Sequence, residues 1–280
     1  MKKLWSHSPS AFCLRLITYL AAGLSMTLIV VLVGCILIRG VPHLSLSLFA
    51  WRYNSDNVSL VPAFINTVYM TFFSLLIAAP LGIFAAVWLA EYAKRGSYLV
   101  KAVRLAAETL AGIPSIVYGL FGYLMFVVFL KWGVSMLAGA FTLAIMVLPL
   151  IMRTTEESLL SVPDAFREGS FGLGAGKLRT VFAIVLPSAM PGILSGVILA
   201  TGRIMGETAA LIYTAGTRPE IAVSAFDSSR TLAVHMYNLS SEGLHLNQAY
   251  ATAVALLALV IGVNSLSRFM AQKIAGGRNG

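Results

Sequence analysis

The sequence is short of charge: only 11% of its 280 residues are Asp, Glu, Lys or Arg, against 58% hydrophobic residues. A soluble domain carries about 25% charged residues, so a soluble globular fold is excluded. Residues that carry chemistry are scarce as well. Cys13 and Cys35 are the two cysteines. On one helix they would stand about 33 Å apart, beyond the reach of a disulfide, so a packing role is expected of them. The four histidines form no His-x3-His pair, and neither Cys-x2-Cys nor Gly-x-Ser-x-Gly occurs. Metal-site and nucleophile-elbow patterns are therefore missing, and an intramembrane hydrolase would lack its nucleophile and base. The nearest approach to a phosphate-binding loop runs from Gly172 to Leu178. It has Phe171 where the first glycine belongs and Leu178 where Ser or Thr is needed, and no strand precedes it. No nucleotide or metal cofactor is expected in this chain.

What the sequence has in abundance is long, predominantly apolar runs with at most two charged residues each. A helix needs about 20 residues to cross the hydrocarbon core, and such windows fall at 16–38, 62–91, 105–130, 132–152, 188–213 and 246–267. The expected fold class is all-α, a polytopic membrane protein with about six transmembrane helices and both termini on one side. The first window follows a basic start, as a signal peptide does. At 23 uncharged residues with no small-x-small site after Ile38 it is too long, so it reads as an uncleaved anchor. Lys and Arg set orientation. With the N-terminus cytoplasmic, 14 of the 20 basic residues fall on the inner flanks at 2–15, 94–104, 153–179 and 268–278. The net charge of +9 thus follows from membrane topology, and nucleic acid is not an expected partner.

Two outward segments, 39–61 and 214–245, are long enough to hold structure. Leu232, Met236 and Leu239 fall at helical spacing, which predicts a short amphipathic helix at the outer surface. It would either receive a solute-delivering partner or cap the bundle. Pro80, Pro114 and Pro149 sit inside apolar helices, where each removes a backbone hydrogen bond and bends the axis. Such breaks can expose backbone polar groups beside a water-filled pathway.

Between Arg179 and Arg218 the only ionisable residues are Arg203 and Glu207, four apart and expected on one helix face. Gly192 and Gly196 share that face to within about 20°, and small residues mark helix contacts in membranes. The pair should therefore point into the bundle, with Arg203 about 22 Å above Ser188, in the outer half of a core about 30 Å thick. A charge at that depth costs about 2.5–3.5 kcal/mol to insert. Two readings stay open, a structural ion pair or an anion site. Guanidinium matches the oxygens of a tetrahedral anion, and a carboxylate accepts a hydrogen bond only from a protonated one. Phosphate near neutral pH carries that proton; sulfate does not.

The segment Glu168-Gly169-Ser170, then Gly174, then Ile184-Val185-Leu186-Pro187 resembles the cytoplasmic "EAA" loop of ABC importer permeases, with Gly169 and Ser170 in place of two alanines. Gly202-Arg203-Ile204-Met205-Gly206-Glu207-Thr208-Ala209-Ala210-Leu211 resembles the "ARIxGETAPLL" signature of PstA-type phosphate permeases. Gly112–Leu120 is similar to their "APSIVxGLF", Leu89–Tyr92 to "LAEY" and Val147–Glu156 to "PxxxRTTE". The resemblance covers roughly 61–216. It implies a type I ABC importer permease fold, with an anchor helix and outer segment at 1–60 and a permease domain at 61–272 that contains the coupling loop 154–187. It implies a substrate pathway at Arg203, Glu207 and Thr208, and ATPase coupling through Glu168, Gly169, Ser170, Gly174, Ile184, Leu186 and Pro187. The implied partners are a C-type sister permease, two ATPase subunits that bind the ATP and magnesium, an outer phosphate-binding protein, inorganic phosphate and membrane lipid. The implied place is the cytoplasmic membrane, both termini cytoplasmic. Alternatives are a permease for sulfate or molybdate, the C-type sister subunit, or a channel, which would need no such loop.

Overall fold

A computed structural model describes residues 9–94 and 96–276, with side chains over 12–94 and 96–269. Lys2, Lys3, Arg95 and Arg278, counted above toward orientation, lie outside the described residues, as does the side chain of Lys273. Among the described residues there are helices and no strands. The order is α1 (Pro9–Gly40), two short 3-10 turns, α2 (Val61–Val87) with a π turn at Trp88–Tyr92, α3 (Tyr98–Ala111) and α4 (Ser115–Gly122) continued by a π stretch, Tyr123–Phe129. Then come α5 (Met136–Leu160), α6 (Asp164–Gly172), α7 (Lys177–Thr180), a π stretch at Val181–Val185, α8 (Leu186–Met205), α9 (Ala209–Thr214), α10 (Leu232–Glu242) and α11 (Leu246–Gly276).

Five helices are long and apolar enough to span a membrane: Phe12–His43, Val61–Tyr92, Met136–Leu160, Lys177–Met205 and Leu246–Phe269. A further pair passes that test only when taken together, Tyr98–Ala111 and Ser115–Phe129, bent by 104° at the break as a broken span or a re-entrant loop is, so the expected six crossings stand at five or six. This corrects the continuous third span expected at 105–130. Pro114 is the extended N-cap residue of α4, because the residue before a helix start must leave helical geometry and proline suits that point. Pro80 and Pro149 do lie inside α2 and α5, and Pro191 lies inside α8.

The fifth span is also corrected. It does not run 188–213; one helix reaches from Lys177 to Met205, a gap follows at 206–208, and α9 resumes at Ala209. The centre of the bundle is α2 against α5, with α8 packed on both, more extensively on α5. Contact is close because glycines face it. A side-chain carbon on Gly82 would lie 2.9 Å from Ile151, and Gly192 and Gly196 would collide with Ser158 and Thr154. The helix face expected to pack is the one that packs.

α1 touches the rest mainly through α11, and its side chains are largely exposed. Cys13 and Cys35 are both exposed, so the expected packing role is not met within this chain: a helix lying outside the core offers them no neighbours. The 231–239 helix exists as α10, capped by Thr231, whose side chain accepts from Val234 N–H. It is amphipathic as expected, with Tyr237, Ser240 and Ser241 exposed on one face and the other face packed inward. Leu232, Val234, His235 and Leu239 are buried, and Leu232 N–H donates to Thr67 Oγ1 at 2.8 Å. α10 therefore seals one end of the bundle, where α2 and α5 begin. α6 lies at the other end, where they finish.

Candidate functional site

The antiparallel register of α5 and α8 fixes the height of Arg203. Gly192 faces Ser158 and Gly196 faces Thr154, so Arg203, two turns on, meets α5 near Met146–Pro149. That is the middle of Met136–Leu160, lower than the outer half expected from counting. The difference arises because the fifth span begins at Lys177 and its early turns lie below the level assumed.

A cavity of about 610 Å³ runs from Leu160, at the α6 end, to Arg203. α3 contributes Arg104 and Glu108, and α5 contributes Pro149, Arg153 and Glu156. Two of these cations are engaged: Arg104 Nε donates to Glu156 Oε1 at 2.9 Å and Arg153 Nε to Glu157 Oε1 at 3.0 Å. Arg203 is not. Among the described residues no carboxylate lies within 4.0 Å of its nitrogens.

Glu207 accordingly is not an ion-pair partner four residues along a helix, which corrects that half of the sequence reading. α8 ends at Met205, Glu207 falls in the gap, and its Oε1 accepts Ala210 N–H at 3.3 Å. It satisfies one of the amide groups that a helix start leaves without an intrahelical partner. Thr208 is the N-cap residue of α9 and is half-buried; its carbonyl accepts from Leu211 and Ile212.

The helices that follow the two breaks, α4 and α9, meet. A side-chain carbon on Gly119 would lie 2.8 Å from Ala210 Cα, so α4 and α9 pack backbone to backbone. Tyr118 Oη reaches back across the α3–α4 break and donates to Leu110 C=O at 2.8 Å, satisfying a carbonyl in the last turn of α3. Both interruptions thus lie beside the Arg203 level, and irregular backbone at membrane depth is tolerated where it is buried in protein or lines a cavity.

The segment at 168–187 divides into two parts. Glu168, Gly169 and Gly174 are exposed at the α6 end. Gly174 has φ +84°, a left-handed conformation that glycine adopts freely, and it turns the chain from α6 into α7. A side chain at Gly169 would meet open space, so packing does not require its smallness here. Ser170 is buried, its Oγ 2.8 Å from Thr180 Oγ1. Ile184, Leu186 and Pro187 are half-buried within the long helix that leads into the bundle.

Arg104, Glu108 and Glu156 escape the sequence reading of the site. Arg104 and Glu108, four apart, signal one charged face of α3, but a span placed from 105 onward makes Arg104 a mere flank.

Comparison with known proteins agrees with this architecture. Residues 78–276 match the family described as binding-protein-dependent transport system inner membrane component. The chain is 35% identical over 240 residues to "Probable ABC transporter permease protein YqgI" of Bacillus subtilis (strain 168), covering 80% of this chain and 81% of that one. It is 36% identical over 231 residues to "Phosphate transport system permease protein PstA" of Pasteurella multocida (strain Pm70), covering 80% and 82%. In fold it is similar to a chain of a bacterial alginate ABC transporter, with TM-score 0.64, 16% identity and 98% of both chains covered. It is also similar to a chain of the inward-facing MetNI methionine ABC transporter, with TM-score 0.60, 20% identity and coverage of 77% and 95%. The fold is that of a type I ABC importer permease. The chain belongs to the family of binding-protein-dependent transport system inner membrane components, as a permease subunit of an ABC importer related to the PstA-type phosphate permeases.

Proposed function

We propose that this chain passes inorganic phosphate across the cytoplasmic membrane, and that Arg203 meets the anion on its way. One observation carries the reading: a guanidinium level with the middle of the α5 span, facing a cavity, with no carboxylate within 4.0 Å among the described residues. A charge there is costly, and an oxyanion passing through would supply the missing partner through a charge-assisted hydrogen bond. The relatives named for phosphate transport support the choice of anion. Glu207 and Thr208 act beside it by shaping the break between α8 and α9.

On this reading the α6 end is cytoplasmic, as the basic flanks argue, and both termini are cytoplasmic. Glu168, Gly169 and Gly174 offer the surface on which a separate ATPase docks. Ser170 holds that surface to α7, and Ile184, Leu186 and Pro187 carry it into the bundle. The ATP and magnesium belong to two ATPase subunits. A C-type sister permease completes the pathway, and an outer binding protein delivers phosphate at the α10 end.

The test is uptake of labelled phosphate, with sulfate as competitor, by the assembled complex in proteoliposomes. Arg203→Gln should assemble and lose uptake roughly tenfold or more, about 1.4 kcal/mol of lost anion contact. Combining it with Glu207→Gln should restore nothing, since the two are not paired. Near-normal uptake by the double variant would refute the anion contact, and equal competition by sulfate would refute phosphate selectivity.

A further inference from the structure

Arg167 lies in the middle of α6, one residue before the segment that resembles a docking loop, and its side chain turns away from that surface. Its Nε and Nη2 both donate to Glu91 Oε1, at 3.1 and 2.6 Å. Nη2 also donates to Leu159 C=O at 2.9 Å, and Nη1 to Val162 C=O at 2.8 Å and Asp164 Oδ1 at 3.1 Å. The ion pair is withdrawn from water, with side chains only 15% and 8% exposed. Glu91 ends the long helix of α2, in its closing π turn. Leu159 is in the last turn of α5, where a cation finds carbonyls free of intrahelical partners. One guanidinium thus joins α6 to the ends of two spans.

Those two spans matter because they are packed along their length, at Gly82 against Ile151 among other places, and because α5 carries Pro149 and Arg153 in the cavity wall. A displacement of α6 can reach the cavity only through rigid connections. The link from Ser170 to Thr180 serves α7 and α8; Arg167 serves α2 and α5.

We propose that Arg167 and Glu91 form the fastener that transmits movement of α6 to the α2–α5 pair, and that Arg167 is therefore a positioning residue for transport. The inference rests on the reading that α6 is where an ATPase docks. Arginine suits the task because its fork is planar and bidentate, which resists rotation as a single ammonium does not.

The experiment reconstitutes the full complex and measures ATP hydrolysed and phosphate taken up in the same vesicles. Arg167→Gln and Glu91→Gln should each assemble and hydrolyse ATP, yet use at least about five times more ATP per phosphate moved. The double variant should be no worse than either single one, because both remove the same link. Arg167→Lys, which keeps charge and loses the fork, should fall between, and it remains informative if a neutral variant fails to assemble. An unchanged ATP-to-phosphate ratio, even with less uptake, would show that the pair is merely structural and overturn the proposal. Multiplying rather than saturating effects in the double variant would overturn it too. Glu168→Lys is the control for docking: normal uptake there sinks the docking reading itself, whereas lost uptake there with a normal ratio in Arg167→Gln sinks the fastener alone.

Discussion

At the α6 end ion pairs join helices, Arg167 with Glu91 and Arg104 with Glu156; at the α10 end, among the described residues, no ion pair joins two helices and the loop is held mainly by neutral hydrogen bonds. There Asn66, fully buried on α2, donates to Glu220 C=O at 2.9 Å and accepts Ala222 N–H at 3.0 Å. Thr67 accepts Leu232 N–H, Ser135 N–H donates to Thr214 C=O and Met136 N–H to Asp227 C=O. Buried neutral hydrogen bonds add only about 1 kcal/mol each, but leaving their groups unpaired costs about 1–3 kcal/mol. They permit one arrangement. Of the ion pairs at the other end only Arg153–Glu157, within α5, is open to water and cheap to break, whereas losing one partner of the withdrawn Arg167–Glu91 pair leaves a buried charge unpaired. The α10 end is tied to its loop by neutral bonds, and the α6 end joins its helices through ion pairs.

The sharpest way to break that contrast is Asn66→Ala. It strands the buried Ala222 amide, removes the part-buried bond to the Glu220 carbonyl and should cost about 3 kcal/mol. Thermal unfolding in detergent, and proteolysis within 214–245, would register it. An unchanged melting temperature would mean that the outer loop is not held by its neutral bonds.

A smaller effect is expected from acid. His235 is fully buried on α10, with the Tyr53 ring edge-on at 6.1 Å. Burial first, and the nearby Arg230 guanidinium second, push its pKa down from 6.5 to about 3. The folded protein therefore keeps the imidazole neutral where the unfolded chain would protonate it. The full contribution is present above pH 6.5 and is lost progressively as pH falls toward 3. At pH 5 the loss is about 2 kcal/mol. Hydrogen exchange of α10 should accelerate between pH 7.5 and 5, and His235→Phe should remove that pH dependence. Identical acceleration in the variant would assign the acid response elsewhere.

The smallest effect belongs to Glu157→Gln. Arg153 and Glu157 form an i,i+4 pair with both side chains more than 60% exposed, so stability should change by about 0.5 kcal/mol or less. A loss near that of Asn66→Ala would show this exposed pair to hold as firmly as the buried neutral bonds and erase the comparison.

Much of the α6 end is legible in the amino-acid sequence, because its signals are local. Glu168, Gly174 and Pro187 stand at fixed spacings along one stretch of chain, and Gly174 adopts the left-handed turn that such spacing requires. Arg203 too is legible, as a charge in an apolar span that must face inward. Glu207 is not, because spacing four apart implies one helix face only while the helix continues, and nothing local says that α8 stops at Met205. The Arg167–Glu91 link joins residues 76 positions apart, and each alone reads as an ordinary flanking charge.

By itself the sequence determined the membrane class and the approximate places of five crossings, since these follow from apolar length against the thickness of the bilayer. It also determined the helix at 232–239, whose spacing is local, while the Thr231 cap shows only in the structure. Tertiary structure alone decided where the spans break. Pro114 could have kinked a helix or begun one, and the approach of Gly119 to Ala210 selects the second, because only packed backbone can shelter two helix ends at that depth. It also decided that His235 is buried while Cys13 and Cys35 are exposed, for burial depends on which distant helix arrives to cover a face.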